Sequence, residues 1–429
     1  TMDVVKASRT KVKDQIVLQN DDQGQPLNGN YILTVTAVDF CGNETVKSDW
    51  TLNVDNETPQ LVDASYDGYT HIGTDGNVYY GQNATAHQMQ LGILEKNFDP
   101  NLDNDSSIVV KKNGQQITEG YTVTGEHDGD PHKVIVDLTG IDGTEENDIY
   151  TVESHYQDPA GNQLDYKGAS IVIDKVSPVV ARIVTSENLK GEPDGSPYDG
   201  TDYYINKTIT TVITIEDENL PSDSTEIWKT SMKKDGNDVE ADLRTAESGQ
   251  ITFTMEADGR YSDLKAAGTD LAGNPLVLAE NGYEHEMWDE AEAENGTVSL
   301  SYARVVDTVA PVAVITYTSK ADPNGYDTEY YYNKDMTADI AVTDQYGDSS
   351  CGIDLMKLFT VCRKDGQGTA ENISSEKTVY KIDKEDGRYD LSIYGTDRAG
   401  NALTVREQIP GTTDTFEETV SCKDGYTAR

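Results

Sequence analysis

The sequence predicts an all-β chain built as a tandem array of Greek-key β-sandwiches, and three observations predict it. A tyrosine-led segment closing on Asp-x-x-Gly-Asn occurs four times: Tyr31 to Asn43, Tyr150 to Asn162, Tyr261 to Asn274 and Tyr389 to Asn401. An Asp-x-x-x-Pro junction occurs three times in alternation with it, at Asp55 to Pro59, Asp174 to Pro178 and Asp307 to Pro311. Between these marks apolar residues recur at every second position, the period of a strand with one buried face. Self-similarity in fixed order is the mark of a repeat array.

Residues 1–57 hold Gln15-Ile-Val-Leu-Gln19, the Tyr31 copy and Trp50 to Asp55. They read as the C-terminal part of a sandwich, since so few strands bury little core. At each junction proline cannot donate to a ladder, so one strand ends at the Asp and the next domain begins after the Pro. Each full repeat then shows a tyrosine pair: Tyr79-Tyr80, Tyr203-Tyr204 and Tyr331-Tyr332. Alternating strands follow at Met89 to Glu95, Ile209 to Asp217 and Met336 to Asp344. Asn113-Gly114, Asp235-Gly236 and Asp365-Gly366 predict two-residue hairpins, because a type I′ turn needs positive φ at both central residues. Further strands fall at Lys133 to Leu138, Gln250 to Met255 and Thr378 to Ile382. The last strand of the chain is placed at Phe416 to Val420.

About seven short strands per repeat, with turn signals between them, is the pattern of a Greek-key sandwich. The tyrosine heading the penultimate strand (Tyr31, Tyr150, Tyr261, Tyr389) fits a tyrosine corner, where the hydroxyl reaches back to upstream backbone. The predicted domains are 1–57 (truncated), 58–176, 177–309 and 310–429. The third carries an insertion at 275–297: Asn43 to Asp55 and Asn162 to Asp174 are each 12 residues apart, whereas Asn274 to Asp307 is 33. The insertion holds Tyr283, His285 and Trp288. They read either as a binding loop, aromatic residues being strong contact anchors, or as an extra hairpin packed on its own domain.

Lys plus Arg is 34 against 77 Asp plus Glu, a net charge of −43. Such a field disfavours nucleic acid and anionic membranes and leaves carboxylates free to meet divalent cations. No apolar run approaches the ~20 residues needed to cross a bilayer. Cys41 stands where the other copies have Ala160, Ala272 and Ala399, and reads as a small buried side chain. Cys351, Cys362 and Cys422 share the last domain; one bridge is expected there, its pairing open. The histidine-rich stretch Glu126 to His132 reads as a solvated turn with no zinc spacing. No nucleophile elbow, P-loop, dinucleotide fingerprint or zincin motif is present, so no catalytic residue is assigned.

The alternation of Asp-x-Ala-Gly-Asn (Asp158 to Asn162, Asp270 to Asn274, Asp397 to Asn401) with the Asp-to-Pro junctions resembles the tandem bacterial Ig-like (BIg) repeats of large cell-surface adhesins, over essentially the whole chain. The fourth domain departs by lacking the closing junction. The resemblance implies tandem immunoglobulin-like sandwiches in an elongated, monomeric rod on the bacterial surface. It implies a non-catalytic stalk facing a host glycan, glycoprotein or extracellular polymer, with no required cofactor but calcium at the junctions. Each junction Asp is expected to share that calcium with the Asp of the preceding loop, which makes Asp39, Asp55, Asp158, Asp174, Asp270 and Asp307 the candidate ligands. The plainer alternative is that these residues cap turns, since Asp bonds its own following backbone. An accessory region of a secreted carbohydrate-active enzyme and glycan capture by the inserted loop are the competing functions.

Overall fold

The computed structural model describes residues 24, 27–102, 107–142, 148–221, 228–239, 249–317, 336–346, 349–350, 359–368, 371–372, 377–382, 389–408, 415–419 and 426–427. Contacts divide the chain into two units, Thr1–Val176 and Ser177–Arg429. Among the described residues the elements are strands, apart from one 3₁₀ turn at Met287–Asp289.

The first unit opens with an antiparallel hairpin, Gly29–Val38 against Glu44–Val54. A sandwich follows. One sheet has the order Gln60–Asp67, Gln88–Leu94, His132–Asp137, Thr122–Glu126. The other runs His71–Ile72, Val78–Tyr80, Ile171–Ile173, Ile149–Gln157, Ile108–Lys112, Gln115–Ile117. In immunoglobulin lettering these are the ABED and GFC sheets, so the Greek-key prediction is met by the strand order. The core lies between them. Met89, Leu91 and Ile93 point inward from one sheet, and Val110, Val152 and Tyr156 from the other. Their neighbours Gln88, Gln90 and Gly92 lie on the other face, as a period of two demands.

The second unit repeats the plan around two separate cores. Ile209, Ile213 and Ile215 meet Met232, Tyr261 and Leu264 in one. Ala313, Ile315, Ile340 and Val342 meet Leu391 and Ile393 in the other. In the first two complete sandwiches the closing strand pairs in parallel with an early one. Ile171–Ile173 lies along Val78–Tyr80, and Ala303–Val306 lies along Asp202–Ile205. In the last sandwich the parallel pair is Thr404–Gln408 with Val312–Tyr317, and two strands, Thr415–Thr419 and Tyr426–Thr427, follow it.

The three hairpin turns have the backbone that their sequences require. φ is 50° and 80° at Asn113-Gly114, 49° and 81° at Asp235-Gly236, and 51° and 79° at Asp365-Gly366. A fourth turn of this kind, Asn295-Gly296, closes a hairpin inside the insertion, Ala291–Glu294 with Thr297–Leu300.

The fold corrects two expectations. Cys41 is exposed and free, although Ala272 and Ala399 at the matching position are buried. Ala160, at the same position of a complete sandwich, is exposed as well, so the loop position is not a core position as such: Ala399 is covered by Tyr198, Tyr204 and Val305 of the preceding sandwich. The tyrosine pairs also differ in register by one. Tyr80 pairs with Ile173, the residue before Asp174, while Ile205 pairs with Val306, the residue before Asp307. Tyr79 therefore matches Tyr204, and Tyr80 matches Ile205. A strand is seen at Thr415–Thr419, over the stretch Phe416 to Val420, but it is not the last: Tyr426–Thr427 follows and pairs with Tyr389–Tyr394. Gln15 to Gln19, Tyr331, Tyr332, Cys351 and Cys422 lie outside the described residues, as does the side chain of Cys362.

Candidate metal centres at the junctions

The repeated loop explains itself at atomic level. In Asp158-Pro-Ala-Gly-Asn162 the Asp158 Oδ1 accepts the backbone N–H groups of Ala160, Gly161 and Asn162 at 2.9, 2.7 and 2.9 Å. Its Oδ2 accepts Asn162 Nδ2 at 2.8 Å. Gly161 turns the chain at φ 98°, a left-handed value that glycine adopts without strain. Asp397 binds Gly400 N–H, Asn401 N–H and Asn401 Nδ2 at 2.6, 2.8 and 2.7 Å. The loop is thus a carboxylate held by its own backbone, which fixes where its lone pairs point.

The closing asparagine has a second task. Asn162 Nδ2 also donates to the backbone carbonyl of Asp55 at 3.2 Å, and Asn401 Nδ2 to that of Asp307 at 2.8 Å and of Val309 at 3.1 Å. Each asparagine ties a loop to the junction that precedes its domain. We expect Asn401→Ala to lower the stability of the last sandwich by roughly 1–3 kcal/mol, because one amide satisfies three acceptors. Urea unfolding would register this as a lowered midpoint; an unchanged midpoint would mean that the clamp is idle.

These ties bring together acids far apart in sequence. In the first unit oxygens of Asp55, Glu95 and Asp158 all lie within 4.8 Å of one another. In the second unit oxygens of Asp307, Asp344 and Asp397 do the same, and all three residues are buried. Each triad takes its first acid from the junction, its second from the end of the second strand, and its third from the loop. The same three sequence positions carry Asp174, Asp217 and Asp270. Within its own unit, Asp174 donates its N–H to the Tyr80 carbonyl and accepts Val176 N–H at 2.9 Å. Asp217 accepts Asn219 N–H at 2.7 Å, and Asp270 accepts Asn274 N–H and Nδ2 at 2.9 and 2.8 Å.

The expectation that a junction Asp meets the preceding loop is corrected at Asp55 and Asp307: each meets the following one. Asp39 accordingly is not grouped with Asp55. Its carboxylate is held within its own loop by Cys41 N–H, Asn43 N–H and Asn43 Nδ2, at 2.8, 2.8 and 2.6 Å. Those bonds to Asn43 keep its pKa below the usual carboxylate value. Pairing by nearest sequence neighbour missed Glu95, Asp344 and Asp397. A signal was present: Asp217 and Asp344 end their alternating strands at the same interval before Asp270 and Asp397.

Charge is concentrated where water is scarce. Burial, opposed by Val309 N–H and reinforced by the charges of Asp397 and Asp258, pushes the Asp307 carboxyl up to about 6. Burial likewise raises Asp397, against the donors of Asn401 and Gly400 and the charge of Lys190. Glu95 is raised by burial and, against Asn97 N–H, by the charges of Asp55, Asp158 and Glu57. Asp307 Oδ1 accepts Val309 N–H at 3.0 Å, while its Oδ2 is buried with no hydrogen-bond donor. A hard cation fits this donor set. Calcium binds oxygen ligands at about 2.3–2.6 Å, so one ion can sit between oxygens spaced as these are, with further ligands from carbonyls or water.

The inserted segment packs on its own domain. Val277–Leu278 adds a parallel strand beside Val179–Thr185. Trp288 sets its ring edge-on to Tyr203 at 6.2 Å. Tyr283 accepts Ala291 N–H at 2.6 Å through its hydroxyl. His285 is exposed and stacks on Tyr283 at 4.4 Å. Of the corner tyrosines, Tyr261 donates to the Ala257 carbonyl at 2.8 Å and Tyr31 to that of Asn28 at 3.3 Å. Tyr150 is buried with its hydroxyl near Asp148 and Lys112. The Tyr389 ring lies under the Lys364 ammonium at 5.6 Å.

No protein-family model and no curated protein matches the chain. Solved structures with similar strand arrangements include three consecutive titin immunoglobulin domains carrying Glu-to-Ala changes, at 11% identity over 87% of this chain and 97% of that one, with a TM-score of 0.38. A Ca²⁺-stabilized adhesin from an ice-binding Antarctic bacterium is 14% identical over 91% of this chain and 81% of that one, with a TM-score of 0.24. A 1.5-MDa bacterial ice-binding adhesin is 13% identical over 86% and 99%, with a TM-score of 0.26.

Proposed function

We propose that the chain is a non-catalytic, extracellular spacing segment of a bacterial surface protein whose joints are set by bound divalent cations, calcium being the class that fits. It would carry or display binding surfaces toward host glycans, glycoproteins or extracellular polymers. The observation that supports this best is the junction triad of Asp307, Asp344 and Asp397, with an orphaned carboxylate oxygen in its midst. Three buried carboxylates repel unless they are protonated or a cation joins them. At neutral pH the second solution ties the last residue of one domain to two acids of the next, so it sets the joint between them. Asp307, Asp344 and Asp397 would hold the ion there; Asp55, Glu95 and Asp158 would do so at the first junction. No acid–base pair is needed for this role.

Titration calorimetry of the full chain with calcium tests the reading. Saturable binding is expected, with one class of site lost in Asp307→Asn. Absence of binding at millimolar calcium would sink the cation half of the proposal.

A further inference from the structure

The residue after the loop Asp is Phe40, Pro159, Leu271 and Arg398 in the four copies, and only the last is a cation. Its guanidinium rests against a pair of tyrosines of the preceding sandwich, 5.0 Å from the Tyr198 ring centre and 5.7 Å from that of Tyr204. The rings meet edge-on at 5.4 Å and 81°, and both are buried. Arg398 Nη1 also donates to the Asp199 carboxylate at 3.0 Å. The socket is fixed from behind. Tyr204 and Lys190 exchange both backbone hydrogen bonds, at 2.8 and 2.9 Å, and Tyr198 opens a tight turn through Asp199 and Gly200 with φ of 54° and 76°. Ala399 fills a small buried cluster with Tyr198, Tyr204 and Val305. The Lys190 ammonium rests against Gly400, and its charge acts on Asp397.

We propose that Arg398 in its tyrosine socket is a metal-independent lock. It would hold the joint at Asp307 closed when divalent cations are withdrawn, whereas the joint at Asp55 opens. A guanidinium held against two desolvated aromatic rings is attracted by the ring quadrupoles and is costly to release into water. Lys190 also places a fixed positive charge beside the carboxylate cluster, doing part of what a metal does. At the first joint the matching residue is Pro159, which has neither charge nor donor. The contrast between joints rests on the cation reading above; the lock itself does not.

Hydrogen exchange by mass spectrometry reads each joint in the intact chain. In chelator the amides of Glu57 and Asn162 exchange quickly and calcium slows them, while those of Val309, Gly400 and Asn401 stay protected with or without calcium. Arg398→Ala speeds exchange at Val309, Gly400 and Asn401 about tenfold in chelator, and calcium restores protection. Arg398→Lys loses most of the protection, since a compact ammonium cannot meet both rings and the Asp199 carboxylate as the planar guanidinium does. Asp199→Asn, which spares the rings, keeps most of it. The core amides of Ile213 and Ile340 serve as internal controls and stay slow in every variant. The lock is overturned if Arg398→Ala exchanges like the parent in chelator, or if the parent joint is unprotected there. If calcium fails to slow Glu57 and Asn162, the cation reading falls while Arg398→Ala still decides the lock.

Discussion

Asp289→Ala is expected to destabilise the sandwich that contains it by roughly 3–5 kcal/mol, because it strands a buried guanidinium. Asp289 and Arg304 are both 0% exposed and pair at 2.6 Å. Asp289 also accepts Thr185 N–H at 2.9 Å and Thr185 Oγ1 at 2.6 Å. Arg304 donates to the carbonyls of Trp288 and Tyr302 at 2.8 and 3.0 Å. The network joins the inserted turn to an early strand of one sheet and the closing strand of the other. Burial already lowers the pKa of Arg304, and the Asp289 charge opposes that. Replacing both residues, as Asp289→Leu with Arg304→Met, should recover much of the loss, since a buried pair exchanged for packed apolar groups is often neutral. Urea denaturation of the single and double variants checks this. A loss under about 1 kcal/mol in Asp289→Ala would show that water reaches the guanidinium.

The second large effect is that of calcium on stability, and its pH dependence has a definite sign. At about a hundredfold excess over its dissociation constant, an ion bound only by the folded state adds ~2.7 kcal/mol per site. Without metal, the folded chain holds the Asp307 proton more tightly than the unfolded chain does, its pKa being raised from 3.8 to about 6. Metal-free stability should therefore fall as pH rises through that window and stay lower above it. Glu95 and Asp397, also raised, act in the same direction. Calcium must displace these protons, so its stabilisation should be full above pH 6 and fade below it. Calorimetric melting at about pH 5 and about pH 7.5, on either side of the Asp307 titration, each with calcium and with chelator, measures the difference. Equal calcium shifts at both pH values would detach the ion from these carboxylates.

Much of the array was legible in the sequence because its marks are local. Asn113-Gly114, Asp235-Gly236 and Asp365-Gly366 specify their turns through their own backbone preferences, and the observed φ values follow. Alternation at Ile209 to Glu216 specifies which side chains face the core, and the burial pattern obeys it. Asp158 and Asp397 were marked by the loop motif, and their bonds to the loop amides are those that the turn-capping reading expects. The inserted segment was less legible. Its Asn295-Gly296 turn is a local signal, but nothing local tells that Asp289 finds Arg304 and Thr185.

By itself, the sequence determined that the chain is a repeated β-sandwich with acids at its joints, since strand period, turn chemistry and repetition are properties of neighbouring residues. Only the tertiary structure decided which acids meet. Sequence proximity suggested Asp270 for Asp307, and the fold supplied Asp397 instead. The reason is geometric: the closing strand carries the junction Asp to the end of its sandwich and away from its own loop. There the next domain presents the end of its second strand and its asparagine-clamped loop.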